Sequence, residues 1–128
     1  MSPLILTEAD FANLSLLESP KLKRRLAGAT RVPSDAVSPA VVTMNSMVSY
    51  RDMASGERGQ VQVVYPQDAR SRSSDRTSVL SSFGMALLGA SRGETVECGS
   101  GAGRRRLYVE EVLHQPESSM QKHLFVRG

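Results

Sequence analysis

The sequence contains no tryptophan, only three phenylalanines and three tyrosines, and a single cysteine. Because proteins bind single-stranded nucleic acid largely by stacking bases on aromatic side chains, this scarcity argues against a base-stacking platform. Cys98 cannot form a disulfide within the chain, and no apolar run approaches the roughly 20 residues that span a bilayer. The N-terminus also lacks a basic, apolar leader. These absences predict a soluble, cytoplasmic protein that does not associate with membranes.

Side chains that could carry catalysis are sparse and scattered. Cys98, His114 and His123 are too few, at spacings too irregular, to predict a metal site or a Cys–His nucleophile pair. Glu110 and Glu111 are adjacent, so on a strand they point to opposite faces and cannot converge on one substrate. The sequence therefore predicts a binding protein rather than an enzyme, with no metal, no cofactor and no small-molecule substrate.

A glycine-rich run from Gly99 to Gly103 can be interpreted as a phosphate-binding loop or as a hairpin turn. Its spacing is not G-x-G-x-x-G, and it is followed by Arg104, Arg105 and Arg106 and a strand-like pattern rather than by a helix. Since the phosphate in such loops is held at a helix N-terminus, we favour the hairpin turn.

The chain carries a formal net charge of +3, which permits an acidic partner without requiring one. The clustering of the charges is more informative than the total. Lys21, Lys23, Arg24 and Arg25 follow one another without an acidic neighbour. This basic arm is either a solvated helix face or a contact surface for acidic protein or nucleic acid, and both interpretations remain open.

Two short helices are predicted near the N-terminus. Thr7 is a good N-cap for a helix from Glu8 to about Glu18, and Ser19 followed by Pro20 should start a second helix that runs to about Ala29. Joined by a tight break, they should pack as an antiparallel hairpin. Residues 30–39 are rich in proline and serine, and they predict a linker without regular structure.

Strand patterns dominate from Val41 onward. The predicted strand segments are Val41–Val42, Met47–Tyr50, Gln60–Tyr65, Ser78–Leu80, Glu94–Cys98 and Arg105–His114. Between them, the apolar turn Phe83–Leu88 is too short to be a stable helix in isolation, so it must pack on the sheet. The predicted fold class is α+β, an antiparallel sheet wrapped on one short helix.

Several of these segments together resemble a known family. The run Val41–Val48 (VVTMNSMV) and the closing run Val109–Glu117 (VEEVLHQPE) are similar to the Rnk branch of the GreA/GreB group of bacterial transcription factors. The segment Leu80–Gly89 followed by Gly93-Glu94 resembles the signature of the whole group, S-P-(I/V/L)-G-x-A-L-(L/I)-G-x-x-x-G-D, with Ser82 in place of the proline. The resemblance extends over about residues 4–117.

The residue patterns divide the chain into a short helical hairpin (1–32), a linker (33–40), a strand-rich domain (41–117) and a tail (118–128). The resemblance implies that the hairpin is a truncated coiled coil and that the C-terminal domain is FKBP-like. It also implies a partner, RNA polymerase, whose secondary-channel rim the C-terminal domain would contact. On that basis the docking loop comprises Leu80, Ser81, Ser82 and Phe83.

The same resemblance raises a question about the N-terminal arm. In the cleavage factors of the group, acids at the tip of a long coiled coil help hold a catalytic Mg²⁺ in the polymerase. Here each helix has about 10 residues, and the tip offers Glu18 alone, followed by cations. We therefore expect polymerase binding and competition with Gre factors without stimulation of transcript cleavage. The alternatives are an FKBP-like interaction module that no longer binds polymerase and, with few aromatics to line a pocket, a peptidyl-prolyl isomerase.

Overall fold

A computed structural model describes residues 4–70, 75–99 and 101–117 of the chain. Its helices are α1 (Glu8–Leu14), α2 (Pro20–Ala27) and α3 (Ser82–Leu87). Its strands are β1 (Ile5–Thr7), β2 (Thr30–Val32), β3 (Met47–Asp52), β4 (Arg58–Val64), β5 (Arg76–Ser78), β6 (Thr95–Cys98) and β7 (Arg105–His114), with short 3₁₀ turns at Asp68–Arg70 and Gly101–Gly103. The tail from residue 118, including His123, lies outside the described residues.

The two N-terminal helices begin where local capping chemistry predicts. Thr7 Oγ1 accepts a hydrogen bond of 3.0 Å from Asp10 N, and Ser19 Oγ accepts one of 3.2 Å from Leu22 N. Both helices end earlier than predicted. In α1, the amide of the C-cap Ser15 still bonds to the Phe11 carbonyl, but the next amide, Leu16 N, bonds to Asn13 O at 3.2 Å, an i−3 bond that tightens and ends the helix. In α2, Gly28 forms the C-cap, as expected for a residue that favours helix ends.

The linker predicted from composition at residues 30–39 is wrong in its first residues, because Thr30–Val32 forms strand β2. This strand pairs in parallel with β1 in the register Ile5 with Thr30 and Thr7 with Val32. The β-branched side chains of Thr30 and Val32 suit a strand, and the prolines that predicted a linker begin only at Pro33. The pairing ties the two ends of the helical segment to each other.

The larger sheet has the order β5-β4-β3-β7-β6. It is antiparallel from β4 to β6, as predicted, but β5 pairs in parallel with β4, so the sheet is mixed. A parallel neighbour requires a crossover rather than a hairpin, and the connection after β4 has the length that this needs. The strand β5 also lies two residues earlier than predicted. Val41–Val42 is not a strand, since Val41 makes only an isolated bridge with Ser91.

The apolar turn predicted at Phe83–Leu88 is the helix α3, which lies on the sheet. Leu87 and Leu88 are fully buried in one hydrophobic core with Val48, Val63 and Leu107 of the strands. Each such side chain contributes about 1.5–3 kcal/mol when removed from water. The same core contains a leucine set from the N-terminal segment, namely Leu6, Leu14, Leu22 and Leu26. The N-terminal helices therefore pack on the rest of the protein through shared apolar side chains.

No helix in the described parts of the chain is both long and apolar enough to cross a membrane.

Candidate functional site

The docking loop predicted at Leu80–Phe83 overlaps the start of α3: Leu80 and Ser81 precede the helix, and Ser82 and Phe83 are its first two residues. Ser81 is the N-cap of this helix, and its Oγ accepts a hydrogen bond of 3.1 Å from Gly84 N while donating one of 2.7 Å to the Ser78 carbonyl. Leu80 is 37% exposed and Ser82 is also exposed, whereas the Phe83 ring packs edge-on against Tyr50 at 5.2 Å. Ser81 and Phe83 thus hold the loop in place while Leu80 and Ser82 face outward.

Gly84 allows this loop and helix to lie close to the sheet. A Cβ added at Gly84 would overlap the Ser78 carbonyl oxygen and lie 2.9 Å from the Ser78 carbonyl carbon. Real Cβ atoms essentially never approach main-chain atoms that closely. The glycine of the signature segment is therefore required for packing of the α3 backbone against the end of β5.

The basic arm is helix α2, and its four cations have different environments. Lys21, Lys23 and Arg24 are exposed. Arg25 instead points toward α3, where its Nη2 lies 3.3 Å from the Ala86 carbonyl and 3.5 Å from the Leu88 carbonyl. Burial lowers the pKa of the Arg25 guanidinium, and its Nε is buried without a hydrogen-bond partner among the described residues. Arg25 is thus engaged in the fold and is not freely available to a partner.

The basic arm and the docking loop meet at an open cleft of about 360 Å³. Lys21, Arg24 and Arg25 line it on the side of α2, and Ser82 and Met85 line it on the side of α3. Cys98 and Gly99, at the end of β6, complete the wall. Lys23 does not line this cleft, since it lies about 200° around the helix from Lys21. The structure therefore brings together two residue sets that the sequence treats separately.

The charge on the cleft walls is predominantly positive. Glu97 is the one carboxylate among the described lining residues, and it already lies 3.8 Å from Arg104 and 3.7 Å from Arg106. Neither Lys21 nor Arg24 forms an ion pair within the described ranges. The cleft thus has uncompensated cations at its rim.

The structure does not assemble a nucleophile from Cys98 and His114. Cys98 is buried, and burial raises the pKa of its thiol, which opposes formation of the thiolate. It pairs with Arg105 at the start of β7, while His114 ends that strand. His114 lies nine positions after Arg105 on this strand, or about 30 Å away at 3.3 Å per residue.

The adjacent glutamates of β7 also have separate partners, as the alternation along a strand predicts. Glu110 Oε2 lies 3.4 Å from Arg58 Nε, and Glu111 Oε1 lies 3.3 Å from Arg92 Nη1. Within residues 4–70, 75–99 and 101–117, no group of three or more His, Cys, Asp or Glu could hold a metal ion.

The described residues of the glycine-rich run, Gly99 and Gly101–Gly103, do not form a phosphate-binding loop. Gly99 has a φ of 81°, and the 3₁₀ turn Gly101–Gly103 leads directly into β7. No helix follows it, so the N-terminal amides that hold phosphate in such loops are not present at this position.

A buried carboxylate, Asp10, is the main feature that the sequence analysis missed. Asp10 Oδ2 accepts a hydrogen bond of 3.0 Å from Met44 N, 34 positions away in sequence. Beside it, Thr43 Oγ1 donates to Glu117 Oε1 at 2.7 Å. Burial, supported by the nearby charge of Glu117, raises the pKa of Asp10 to about 6. Its position four residues before the buried Leu14 is the signal that could have placed it on the inner face of α1.

Comparison with known proteins assigns the chain to a family. Residues 37–114, which are more than half of the chain, match the family described as transcription elongation factor, GreA/GreB, C-term. This chain belongs to the GreA/GreB family. The family resemblance found in the sequence is therefore confirmed, and the docking loop and α3 both lie within the matched residues.

Two individual proteins are similar to this chain over most of its length. The regulator of nucleoside diphosphate kinase of Escherichia coli K12 is 30% identical over 117 residues, which cover 91% of this chain and 84% of the relative. The transcription elongation factor GreA/GreB of Nitrosomonas europaea superposes with a TM-score of 0.70 at 31% identity, covering 89% of this chain and 100% of that one.

A more distant GreA/GreB neighbour supports the fold alone. GreA factor homolog 1 of Thermus thermophilus superposes with a TM-score of 0.51 at 22% identity, covering 88% of this chain and 100% of that one. The mixed α+β architecture of the present chain is thus similar to that of the GreA/GreB proteins with solved structures.

Proposed function

We propose that this chain binds RNA polymerase at the rim of the secondary channel, through the docking loop Leu80–Phe83, and regulates transcription without stimulating transcript cleavage. In that position it competes with Gre factors for the polymerase. Membership of the GreA/GreB family supports the polymerase as partner. The proposal includes the finer fold assignments, namely an FKBP-like C-terminal domain and a helical hairpin as a truncated coiled coil.

The length and chemistry of the N-terminal arm carry the second half of the proposal. Helices α1 and α2 have 7 and 8 residues, so neither exceeds about 12 Å at 1.5 Å per residue. The connection between them contains one carboxylate, the exposed Glu18. A metal clamp at a coiled-coil tip requires convergent carboxylates on an arm long enough to reach the catalytic centre. This arm is too short and has too few acids for that role.

The construction of the docking loop supports its use as a contact. Leu80 is an exposed apolar side chain on a loop whose backbone is held by Ser81 and whose last residue, Phe83, is packed against Tyr50. An ordered loop loses little conformational freedom when it binds. Leu80 and Ser82 can thus contact a partner without rearrangement of α3.

Binding to purified core RNA polymerase tests the proposal. We expect the chain to be retained on immobilised polymerase at low and at physiological salt, and Leu80→Asp to weaken retention by about tenfold, because a charge would replace an apolar contact. Leu113→Asp is the matched control, because it places the same charge on an exposed leucine that is not part of the docking loop. Leu113 is 49% exposed and lies near the end of β7. Absence of binding at both salt concentrations would refute the proposal.

Backtracked elongation complexes test the regulatory half. We expect no increase in transcript cleavage when the chain is added alone, and a dose-dependent loss of the cleavage stimulated by a Gre factor when both are present. Cleavage stimulated by the chain itself would contradict the role assigned to the short arm.

A second candidate function rests on Ser82. This exposed residue stands where the group's signature has proline, at the site of the proposed contact. A chain that had lost polymerase docking would be a free-standing interaction module.

The cleft does not favour the other alternative, a prolyl isomerase, because the described residues that line it include no aromatic side chain.

A further inference from the structure

We infer that the cleft between α2 and α3 receives an acidic segment of a protein partner, whose carboxylates contact Lys21 and Arg24 and whose apolar side chains lie against Met85. In its choice of a protein as partner this inference rests on the proposed function. The docking loop and the cleft share Ser82, so a partner seated on the loop also reaches the cleft.

Charge complementarity defines the acidic character of the segment. Lys21 and Arg24 are exposed at the rim and have no ion-pair partner in the described part of the chain. The nearby Glu97 does not neutralise them, because it is shared by Arg104 and Arg106. Arg25 adds a third positive charge from the inner wall, although its hydrogen bonds go to α3. Three cations of α2 thus face one carboxylate that is already paired.

The walls and the size of the cleft favour a peptide over nucleic acid. Met85 and Ala86 give the wall apolar surface, and a phosphate backbone has no complement for such surface. Sites for single-stranded nucleic acid combine an extended basic surface with stacking aromatics, whereas here the described lining contains no aromatic side chain. A volume of about 360 Å³ accommodates a few side chains, which fits a short segment that mixes Asp or Glu with apolar residues.

Arg25 acts as a positioning residue for this cleft. By donating to the Ala86 and Leu88 carbonyls, it fixes α2 against the C-terminal half of α3. The distance between the cationic rim and the apolar wall is therefore set by the fold. A preformed cleft of this kind binds with a smaller entropic cost than one that must be assembled.

Fluorescence anisotropy with the full chain tests the inference. The probe is a labelled peptide of alternating Glu and Leu, with a Gln-for-Glu peptide and a single-stranded oligodeoxynucleotide as competing probes. We expect the acidic peptide to bind more tightly than either competitor, with an affinity that falls as salt rises. Lys21→Glu and Arg24→Glu should each weaken it about fivefold or more, since reversal replaces an attraction with a repulsion of similar size.

Lys23→Glu is the control for these variants, because it changes the net charge by the same amount at an exposed position of α2 outside the cleft. Its binding should remain within about twofold of wild type, as surface charges away from a contact contribute little. Equal weakening by Lys23→Glu would overturn the inference, as would equal or tighter binding of the Gln peptide or of the oligodeoxynucleotide. Circular dichroism of each variant verifies that the fold is retained.

The same variants separate this inference from the proposed function. If the wild-type chain binds core RNA polymerase, and Arg24→Glu weakens this binding while Lys23→Glu does not, the result supports both the proposed function and the acidic-segment site. If neither the wild-type chain nor any variant binds polymerase, but the acidic peptide binds as expected, the proposed function fails and the acidic-segment site stands. If polymerase binds wild type and every variant equally and the peptide does not bind, the proposed function stands and the inference is wrong.

Discussion

Arg25 of helix α2 donates a hydrogen bond of 3.3 Å to the main-chain carbonyl of Ala86, 61 positions further along the chain. The bond joins an N-terminal helix to the last turn of α3, where carbonyl groups lack partners within the helix. Arginine near a helix C-terminus satisfies such carbonyls. Arg25 belongs to a run of basic residues that resembles a solvated helix face, but its side chain connects α2 to α3, the two helices that line the candidate site.

Replacement of Arg25 should destabilise the protein even though the residue lies on a helix rich in exposed cations. We expect Arg25→Ala to lower the free energy of unfolding by about 1.5–2 kcal/mol. This is the lower part of the range for hydrogen bonds to charged groups, because both Arg25 contacts are long. Urea titration followed by circular dichroism measures it. Lys23→Ala, on the exposed face, should stay within about 0.5 kcal/mol of wild type. Equal effects of the two variants would show that the Arg25 contacts do not stabilise the fold.

Close approach of α3 to Ser78 makes Gly84 intolerant of a side chain. Gly84→Ala should cost about 3 kcal/mol or more, since the added Cβ would overlap the Ser78 main chain and force α3 away from the sheet. Thermal denaturation provides the measurement. Gly28→Ala is the matched control, because a Cβ there meets nothing within 4 Å and the residue does not have a positive φ. A Gly84→Ala variant as stable as Gly28→Ala would contradict the packing described for α3.

Asp10 should give the folded protein a specific pH dependence. Burial raises its pKa from 3.8 to about 6 in the folded state, so between these values the unfolded chain releases a proton that the folded protein retains. The stability that Asp10 contributes should therefore fall as pH rises through this window, by on the order of 3 kcal/mol in total, and change no further above it. The unfolding free energy of wild type, measured at intervals from about pH 4 to pH 8, tests this sign.

Asp10→Asn isolates the contribution of this carboxyl group. Asparagine retains an oxygen that can accept from Met44 N, but it cannot ionise. The difference in unfolding free energy between variant and wild type should increase in favour of the variant from pH 4 to pH 6. A difference that is constant over that range would mean that Asp10 does not titrate with a raised pKa.

Ser82→Pro distinguishes the two candidate functions. Ser82 is the first residue of α3, where proline is well tolerated, and Ser81 before it has the extended backbone that a following proline requires. The variant should fold and gain about 0.4–1 kcal/mol in stability. If the natural loop docks on polymerase, its affinity should change by less than about threefold. A gain much larger than this would indicate that the Ser82 protein has lost docking and acts as an interaction module.

Much of this architecture follows from short stretches of sequence. Thr7 and Ser19 start helices because a hydroxyl can satisfy amides only three residues away. The strand β7 has the predicted bounds because its alternation and the preceding glycines are local features. The signature around Gly84 and Gly89 was sufficient to indicate the GreA/GreB family. The ends of α1 and α2 are predicted less well, since helix ends depend on changes of hydrogen-bond pattern such as the i−3 bond from Leu16 N to Asn13 O.

By itself, the sequence determined the helix starts, the main strands, the α3 segment and the family, because each depends on residues within a few positions of one another. Only the tertiary structure decided the parallel pairing of β5 with β4, the burial of Asp10 and the inward direction of Arg25. These depend on packing between segments far apart in the chain, for which no local pattern exists. The meeting of the basic arm and the docking loop at one cleft is of this second kind, because it exists only when α2 lies against α3.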